Sequence, residues 1–165
     1  MSLGISLEEL LAWNDEAANH WKIHCEANPA LLQVPCDIGG STTVQSFVRH
    51  IWLAELRWAQ RLAALPVTDR DSAPTGPLDA LFHCHSEAME IYRNLLAAPA
   101  REWEEIYTLD LPNIPEEFKR LTRRKVAAHS LIHSQRHWSQ LATLARQAGY
   151  PAGFHGDLLF SCALR

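Results

Sequence analysis

The sequence has no apolar stretch long enough to cross a membrane. A spanning helix needs about 20 consecutive, mostly apolar residues, and every apolar run in this chain of 165 residues is interrupted well before that length. The N-terminus also lacks the basic segment followed by an apolar segment that marks a secretion signal. We therefore expect no membrane association and a cytoplasmic location.

Paired cysteines are absent as well. The four cysteines, Cys25, Cys36, Cys84 and Cys162, never occur as C-x-x-C, and a chain of this length buries enough core to fold without disulfides. We therefore expect free thiols. The composition, 47% hydrophobic and 21% charged with only 7 Gly, is typical of a globular protein. The length suits one domain, which we assign to residues 1–165.

The chain also lacks an excess of positive charge. Its formal net charge is −4 and its pI is near 6.1, so it has no general attraction to phosphate backbones. Its only basic cluster, at residues 119–125, is interpreted as the solvated face of a helix. We therefore expect no nucleic-acid partner.

Apolar residues instead recur with the period of an α-helix in four long segments. The periodicity and the flanking stop signals predict helices over about residues 7–27, 43–65, 77–99 and 116–148. Four amphipathic helices of this length can bury their apolar stripes against one another. The sequence therefore predicts an all-α fold, a four-helix bundle.

The segments between the helices carry their own signals. Ser6 to Glu9 and Thr42 to Gln45 have the spacing of capping boxes, which begin helices one and two. Residues 100–115 come closer to strand alternation than to helical periodicity. We predict a longer crossover there, between helices three and four, either extended or folded as a short hairpin.

Histidine is abundant, with 9 residues, and three of them suggest a metal site. His133 and His137 are four residues apart, so on a helix they lie on the same face with Cβ atoms about 5–6 Å apart. His50 lies among apolar residues of helix two, where a buried imidazole needs a polar partner. Three protein ligands that leave one position open are typical of a catalytic metal site.

Spacing alone does not decide which histidines form a metal site, and each histidine could simply be exposed or hydrogen-bonded. Two other pairs have the same spacing: His129 with His133 on helix four, and His20 with His24 on helix one, near Glu16. By contrast, His83 and His85 are two residues apart and project about 200° from each other on a helix. We interpret that pair as structural.

Two segments resemble the DinB-like superfamily, the metal-binding four-helix bundles named after DNA-damage-inducible protein B. Residues 48–58, VRHIWLAELRW, are similar to the second helix of that superfamily, where a histidine ligand is followed five residues later by a glutamate. Residues 129–140, HSLIHSQRHWSQ, are similar to its last-helix motif, H-x-x-N-H-E-x-H-H-R-G-Q. The resemblance covers essentially the whole chain and implies that the metal ligands are His50, His133 and His137.

The chain departs from that motif at several positions around the ligands. Residues that differ are Ile132 for Asn, Ser134 for Glu, Arg136 for the first of the paired histidines, and Trp138 and Ser139 for Arg and Gly. Gln140 is retained, and the motif suggests Gln140 and Glu55 as groups that support the ligands. Of the tryptophans near the ligands, Trp52, Trp58 and Trp138, each either packs in the core or walls a substrate pocket.

The resemblance implies a metal-dependent enzyme related to mycothiol-dependent maleylpyruvate isomerase and bacillithiol transferases. A divalent ion, nickel, zinc or iron, would then activate a low-molecular-weight thiol, or water, for attack on a small electrophilic substrate. This makes an S-transferase or a hydrolase the first hypothesis. The alternative is a non-enzymatic stress protein whose metal supports the bundle. The resemblance also implies a homodimer. No residue in the sequence stands out as a catalytic acid or base.

Overall fold

The computed structural model describes residues 4–97, 99–109, 111 and 114–163, and four long helices dominate it. These helices are α1 (Leu7–Ala27), α2 (Val44–Leu62), α3 (Leu78–Leu96) and α4 (Arg123–Gln147). Because α1 and α2 each pack against both α3 and α4, α1 and α2 occupy opposite corners of the bundle. The predicted all-α four-helix bundle is confirmed. None of the described helices is sufficiently long and apolar to span a membrane.

Helix α2 contributes most of the large side chains of the core. Phe47, Ile51 and Trp52 are all fully buried, and the four-residue spacing of Phe47 and Ile51 keeps those two on the same inner side of the helix. Tyr92 of α3 and Leu131 of α4 are buried against the same core. A helix this deeply buried exposes few of its polar groups to water, so each needs a partner inside the protein.

A hairpin leads the chain from α1 into α2. Strand β1 (Pro35–Ile38) pairs antiparallel with β2 (Ser41–Thr43). Gly39 and Gly40 form the turn with φ angles of +62° and +79°, a conformation that glycine adopts without the penalty of a Cβ atom.

The cap of α2 lies one residue later than predicted. Thr43, not Thr42, is the N-cap, and it exchanges hydrogen bonds with Ser46 in a capping box. Gln45, the predicted partner, instead donates to the carbonyl oxygen of Gly76 at 2.8 Å. The prediction was wrong because the hairpin holds Thr42 outside the helix, where its N–H donates to the hydroxyl of Ser46 at 3.1 Å.

Helix α4 begins later than the predicted Glu116. Strand β3 (Ile106–Thr108) pairs antiparallel with β4 (Arg120–Thr122), with Tyr107 opposite Leu121. The crossover is thus a short hairpin, and its second strand comes from the segment predicted as the first turns of α4. Phe118 is exposed, so its apolar side chain extended the apparent periodicity without being part of the helix. Positions 98, 110, 112 and 113 of the predicted elements lie outside the described residues.

The loop between α2 and α3 is fastened to α2 by Arg49. The Arg49 guanidinium donates to the carbonyl oxygen of Pro74 at 2.7 Å, to that of Ala73 at 3.1 Å, and to that of Arg70. Three carbonyl acceptors on one guanidinium hold this loop beside the middle of α2. Both flanking helices are slightly shorter than predicted, since α2 ends at Leu62 and α3 at Leu96.

Candidate metal centre

Three imidazoles from two helices converge between α2 and α4. His133 and His137 lie one turn apart on α4, with their Nε2 atoms 3.0 Å apart. The ring centre of His50, on α2, lies 5.2 Å from that of His137 and 5.8 Å from that of His133. One ring nitrogen from each residue lies within 4.8 Å of the other two. The structure therefore brings together the three histidines that the sequence singled out, which we call the histidine trio.

The spacing of the trio suits a divalent ion. An ion about 2.0–2.1 Å from each nitrogen in tetrahedral geometry separates the nitrogens by about 3.3 Å. The Nε2 atoms of His133 and His137 are already near that distance, at 3.0 Å. A purely imidazole donor set is compatible with zinc, nickel or iron. The trio could therefore hold one such ion, with its remaining coordination positions open.

Hydrogen bonds fix which nitrogen of His137 faces the trio. The Nδ1–H of His137 donates to Oε1 of Gln140 at 2.6 Å, so the lone pair of His137 is on Nε2, the atom that points toward His133. Gln140 thus orients His137, as the motif suggested. The Nδ1 atom of His133 is buried and has no hydrogen-bond partner within the described residues.

The surroundings keep the trio neutral. Burial, together with the neighbouring His137 and His50, lowers the pKa of His133 to about 4. Burial and the nearby His137 also lower the pKa of His50, and burial lowers that of His137 against the opposing effect of Gln140. Neutral imidazoles carry the lone pair that a metal requires, so all three are in the ligating form near pH 7.

Phe47 of α2 packs against two members of the trio. Its ring is nearly parallel to that of His50, at 6.4 Å between ring centres. It also meets the ring of His137 edge-on at 5.2 Å. Because Phe47 is fully buried, these contacts restrict how the two imidazoles can turn.

Glu55 does not support the trio, contrary to the expectation from the motif. Its carboxylate accepts hydrogen bonds from the Nδ2 of Asn14 at 2.8 Å and from the Nδ1 of His85 at 2.6 Å. The Nε2 of His85 also meets Asp15 at 3.0 Å. Five residues separate Glu55 from His50, which places their side chains about 140° apart around α2. Glu55 therefore faces α1 and α3 rather than α4.

The rival histidine pairs are engaged elsewhere. His24 contacts the carbonyl oxygen of Tyr150 at 3.1 Å, and the ring of His20 packs against Phe154 at 4.9 Å. His129 packs edge-on against Trp58 at 5.6 Å. In the described ranges, the trio is the only group of three His, Cys, Asp or Glu side chains that each offer one ligand atom within 4.8 Å of the other two.

A cleft of about 400 Å³ opens beside α2, and His50 forms part of its wall. The Gly39–Gly40 turn lies at the cleft, and Leu53, Ala54 and Trp58 supply apolar surface. Of the three tryptophans near the ligands, only Trp58 lines the cleft, whereas Trp52 and Trp138 are buried in the core. The remaining lining includes Arg49, Arg57, Arg61 and Arg70.

These arginines were not predicted to be part of a site. Arg57 and Arg61 follow His50 by 7 and 11 residues, which is a helical spacing that places all three on one face of α2. That signal was present in the sequence. Arg70 lies in the loop beyond α2, and no local pattern connects it to His50.

Comparison with known protein families gives a match over most of the chain. The model of the DinB family matches residues 1–156. No curated protein matches the chain. The family match extends over all four helices, including both helices that carry the trio.

Proposed function

Because this chain belongs to the DinB family, we propose that it is a metal-dependent enzyme that holds one divalent ion with His50, His133 and His137. When bound, such an ion lowers the pKa of a coordinated thiol or water and makes a nucleophile available at neutral pH. The proposed reaction is transfer of a low-molecular-weight thiol to a small electrophile, or hydrolysis of that electrophile by water.

One observation carries the proposal: His50 belongs both to the trio and to the wall of the cleft. A small molecule in the cleft would therefore lie next to His50, one member of the trio. Gln140 orients His137, and Leu53, Ala54 and Trp58 provide apolar surface that limits the access of water. A metal that only supported the bundle would not require a cleft at one of its ligands.

The first test is metal content after purification without a chelator. We expect about one equivalent of nickel, zinc or iron in the native protein and a sharp loss in His133→Ala and His50→Ala, because each variant removes one of three ligands. His129→Ala is the matched control, since His129 lies one turn from His133 but outside the trio. Full metal content in both His133→Ala and His50→Ala would refute the assignment.

The second test separates an enzyme from a bundle that is merely stabilised by metal. The protein loaded in turn with zinc, nickel and iron is incubated with several bacterial thiols and a chromogenic electrophile, and separately with simple esters. We expect conjugation or hydrolysis that a chelator abolishes. If no combination exceeds the metal-free rate, while the chelator lowers the melting temperature, the metal has only the structural role.

A further inference from the structure

The cleft beside His50 concentrates positive charge. The whole chain has 15 Lys and Arg residues and a net charge of −4, yet Arg49, Arg57, Arg61 and Arg70 all line this one cleft. No acidic side chain is found among its described lining residues. A cleft lined by one sign of charge raises the local concentration of ions of the opposite sign.

Besides Arg49, helix α2 positions Arg57 and Arg61, and both are bonded to backbone carbonyl groups. Arg57 donates to the carbonyl oxygen of Thr68 at 2.5 Å, and Arg61 donates to that of Arg57 at 3.1 Å. The guanidinium of Arg61 also lies over the ring of Trp58 at 5.4 Å. These contacts orient the side chains but do not neutralise them, and each guanidinium has further N–H donors to offer.

Arg70 reaches the cleft from the loop between α2 and α3. Its backbone is held there by Arg49, which donates to its carbonyl oxygen. Arg70 is exposed. Burial lowers the pKa of Arg57 and of Arg61; the charge of Arg70 lowers the pKa of Arg57 further, and the charges of Arg57 and Arg70 lower that of Arg61 further. Mutual repulsion of this kind is what a bound anion would relieve.

In the part of the chain that the structure describes, no carboxylate forms an ion pair with Arg57, Arg61 or Arg70. Asp69 is close enough to Arg57 to attract it. However, Oδ2 of Asp69 accepts the backbone N–H groups of Asp71 at 3.0 Å and Ser72 at 3.2 Å. Its carboxylate therefore stabilises the loop rather than closing the cleft.

We propose that Arg57, Arg61 and Arg70 bind an oxyanion, the carboxylate or phosphate group of a small acid whose reactive group lies at the histidine trio. The fork of a guanidinium matches both oxyanions. With a rise of 1.5 Å per residue, Arg57 follows His50 by about 10 Å along α2. The ligand is thus a small organic acid that spans roughly this distance, and its role as substrate rests on the proposed function of the trio.

The test uses inorganic phosphate and succinate as probes, titrated calorimetrically at low ionic strength into native protein, Arg61→Gln, Arg70→Gln and the double variant. Arg146→Gln is the matched control, because Arg146 is exposed near the end of α4. Both metal-free and zinc-loaded proteins are titrated, since phosphate and carboxylate also bind metals directly. We expect each single variant to weaken binding about tenfold, the value of one charge-assisted hydrogen bond, in both forms of the protein.

The outcomes are distinct. Tighter binding of phosphate identifies a phosphorylated ligand and tighter binding of succinate a carboxylic acid, and either result supports the proposal. Binding that is unchanged in the double variant, or equally weakened in Arg146→Gln, overturns it. Metal content is measured in every sample. If metal binds and supports a reaction while the arginines do not affect anion binding, only this inference fails. If anions bind through the arginines but the trio holds no metal, the proposed function fails instead.

Discussion

The buried pair of His85 and Glu55 makes a specific prediction about stability and pH. The ring of His85 donates from Nδ1 to Glu55 at 2.6 Å and from Nε2 to Asp15 at 3.0 Å. Two donating nitrogens require the imidazolium form. Burial opposes this charge, but attraction to Glu55 and the hydrogen bonds from Asp15 and Glu55 outweigh it. Together they raise the pKa of His85 from 6.5 to about 9.

The shift of the His85 pKa from 6.5 to about 9 converts to about 3 kcal/mol, because one pKa unit corresponds to about 1.4 kcal/mol. The folded state holds the proton more tightly than the unfolded state, so the contribution is complete below pH 6.5. Above pH 6.5 the unfolded state loses the proton while the folded state keeps it, so the contribution shrinks, and it is gone once the folded state also loses the proton above about 9. The free energy of unfolding should therefore fall by about 3 kcal/mol across this window.

The assay is urea unfolding at several pH values from 6 to 10 with a chelator present, which removes any contribution from metal binding. The control is the double variant Glu55→Gln/His85→Gln, which removes both charges together and so avoids leaving one buried and unpaired. Buried thiols also lower stability at high pH; burial raises the pKa of Cys25, for example, to about 12. Native and control proteins share those thiols, so the difference between them isolates His85.

The reasoning is refuted if native and control proteins lose the same free energy of unfolding between pH 6.5 and 9. It is also refuted if the native protein gains stability over this range, since that would mean His85 is neutral in the folded state. Asp15 provides an independent check at low pH. The hydrogen bond from His85 lowers the pKa of Asp15, so its contribution is present above pH 3.8 and is lost on acidification below that value.

Two further predictions concern single contacts. Gln140→Ala should weaken metal binding about 10- to 100-fold, because the Nδ1–H of His137 loses its acceptor. Competition with a chromogenic chelator measures the affinity for metal, with Gln147→Ala as the control. Equal affinities of the Gln140→Ala and native proteins would contradict the prediction. Thr43→Ala should lower the free energy of unfolding by about 1 kcal/mol through loss of the cap, whereas Thr42→Ala should change it by much less. Equal losses in urea unfolding of the two threonine variants would show that Thr43 is not the cap.

Much of this architecture could be predicted from local patterns. The recurrence of apolar residues every three to four positions identified four helices, and the i,i+4 spacing of His133 and His137 placed both rings on one face of α4. Such relations depend only on the geometry of a single helix. The third histidine was more difficult, because spacing says nothing about which helices become neighbours. His50 was suggested by its apolar surroundings and assigned through the resemblance to a family.

Apart from the cap of α2 and the helical spacing of Arg57 and Arg61, the features that were missed involve pairing between distant parts of the chain. Glu55 was expected beside the trio, but its partners are Asn14 on α1 and His85 on α3. The start of α4 was placed too early because Leu121 pairs with Tyr107 across the crossover, and nothing local to Leu121 reveals that partner. Arg70 reaches the cleft only because Arg49 binds its carbonyl group. Propensity and periodicity contain no information about such long-range contacts.

Helix α2 makes side-chain contacts on two of its faces, and these contacts limit its rotation about its own axis. His50 faces α4 on one side, and Glu55 is bonded to α1 and α3 on the other. A roll of about 20° would carry an imidazole that extends about 6 Å from the helix axis through about 2 Å. That is several times the roughly 0.5 Å within which a ligand set must be held. The buried pair of Glu55 and His85 therefore limits the rotation of α2 and so sets the angle at which His50 faces His133 and His137, although neither residue of the pair contacts those two histidines.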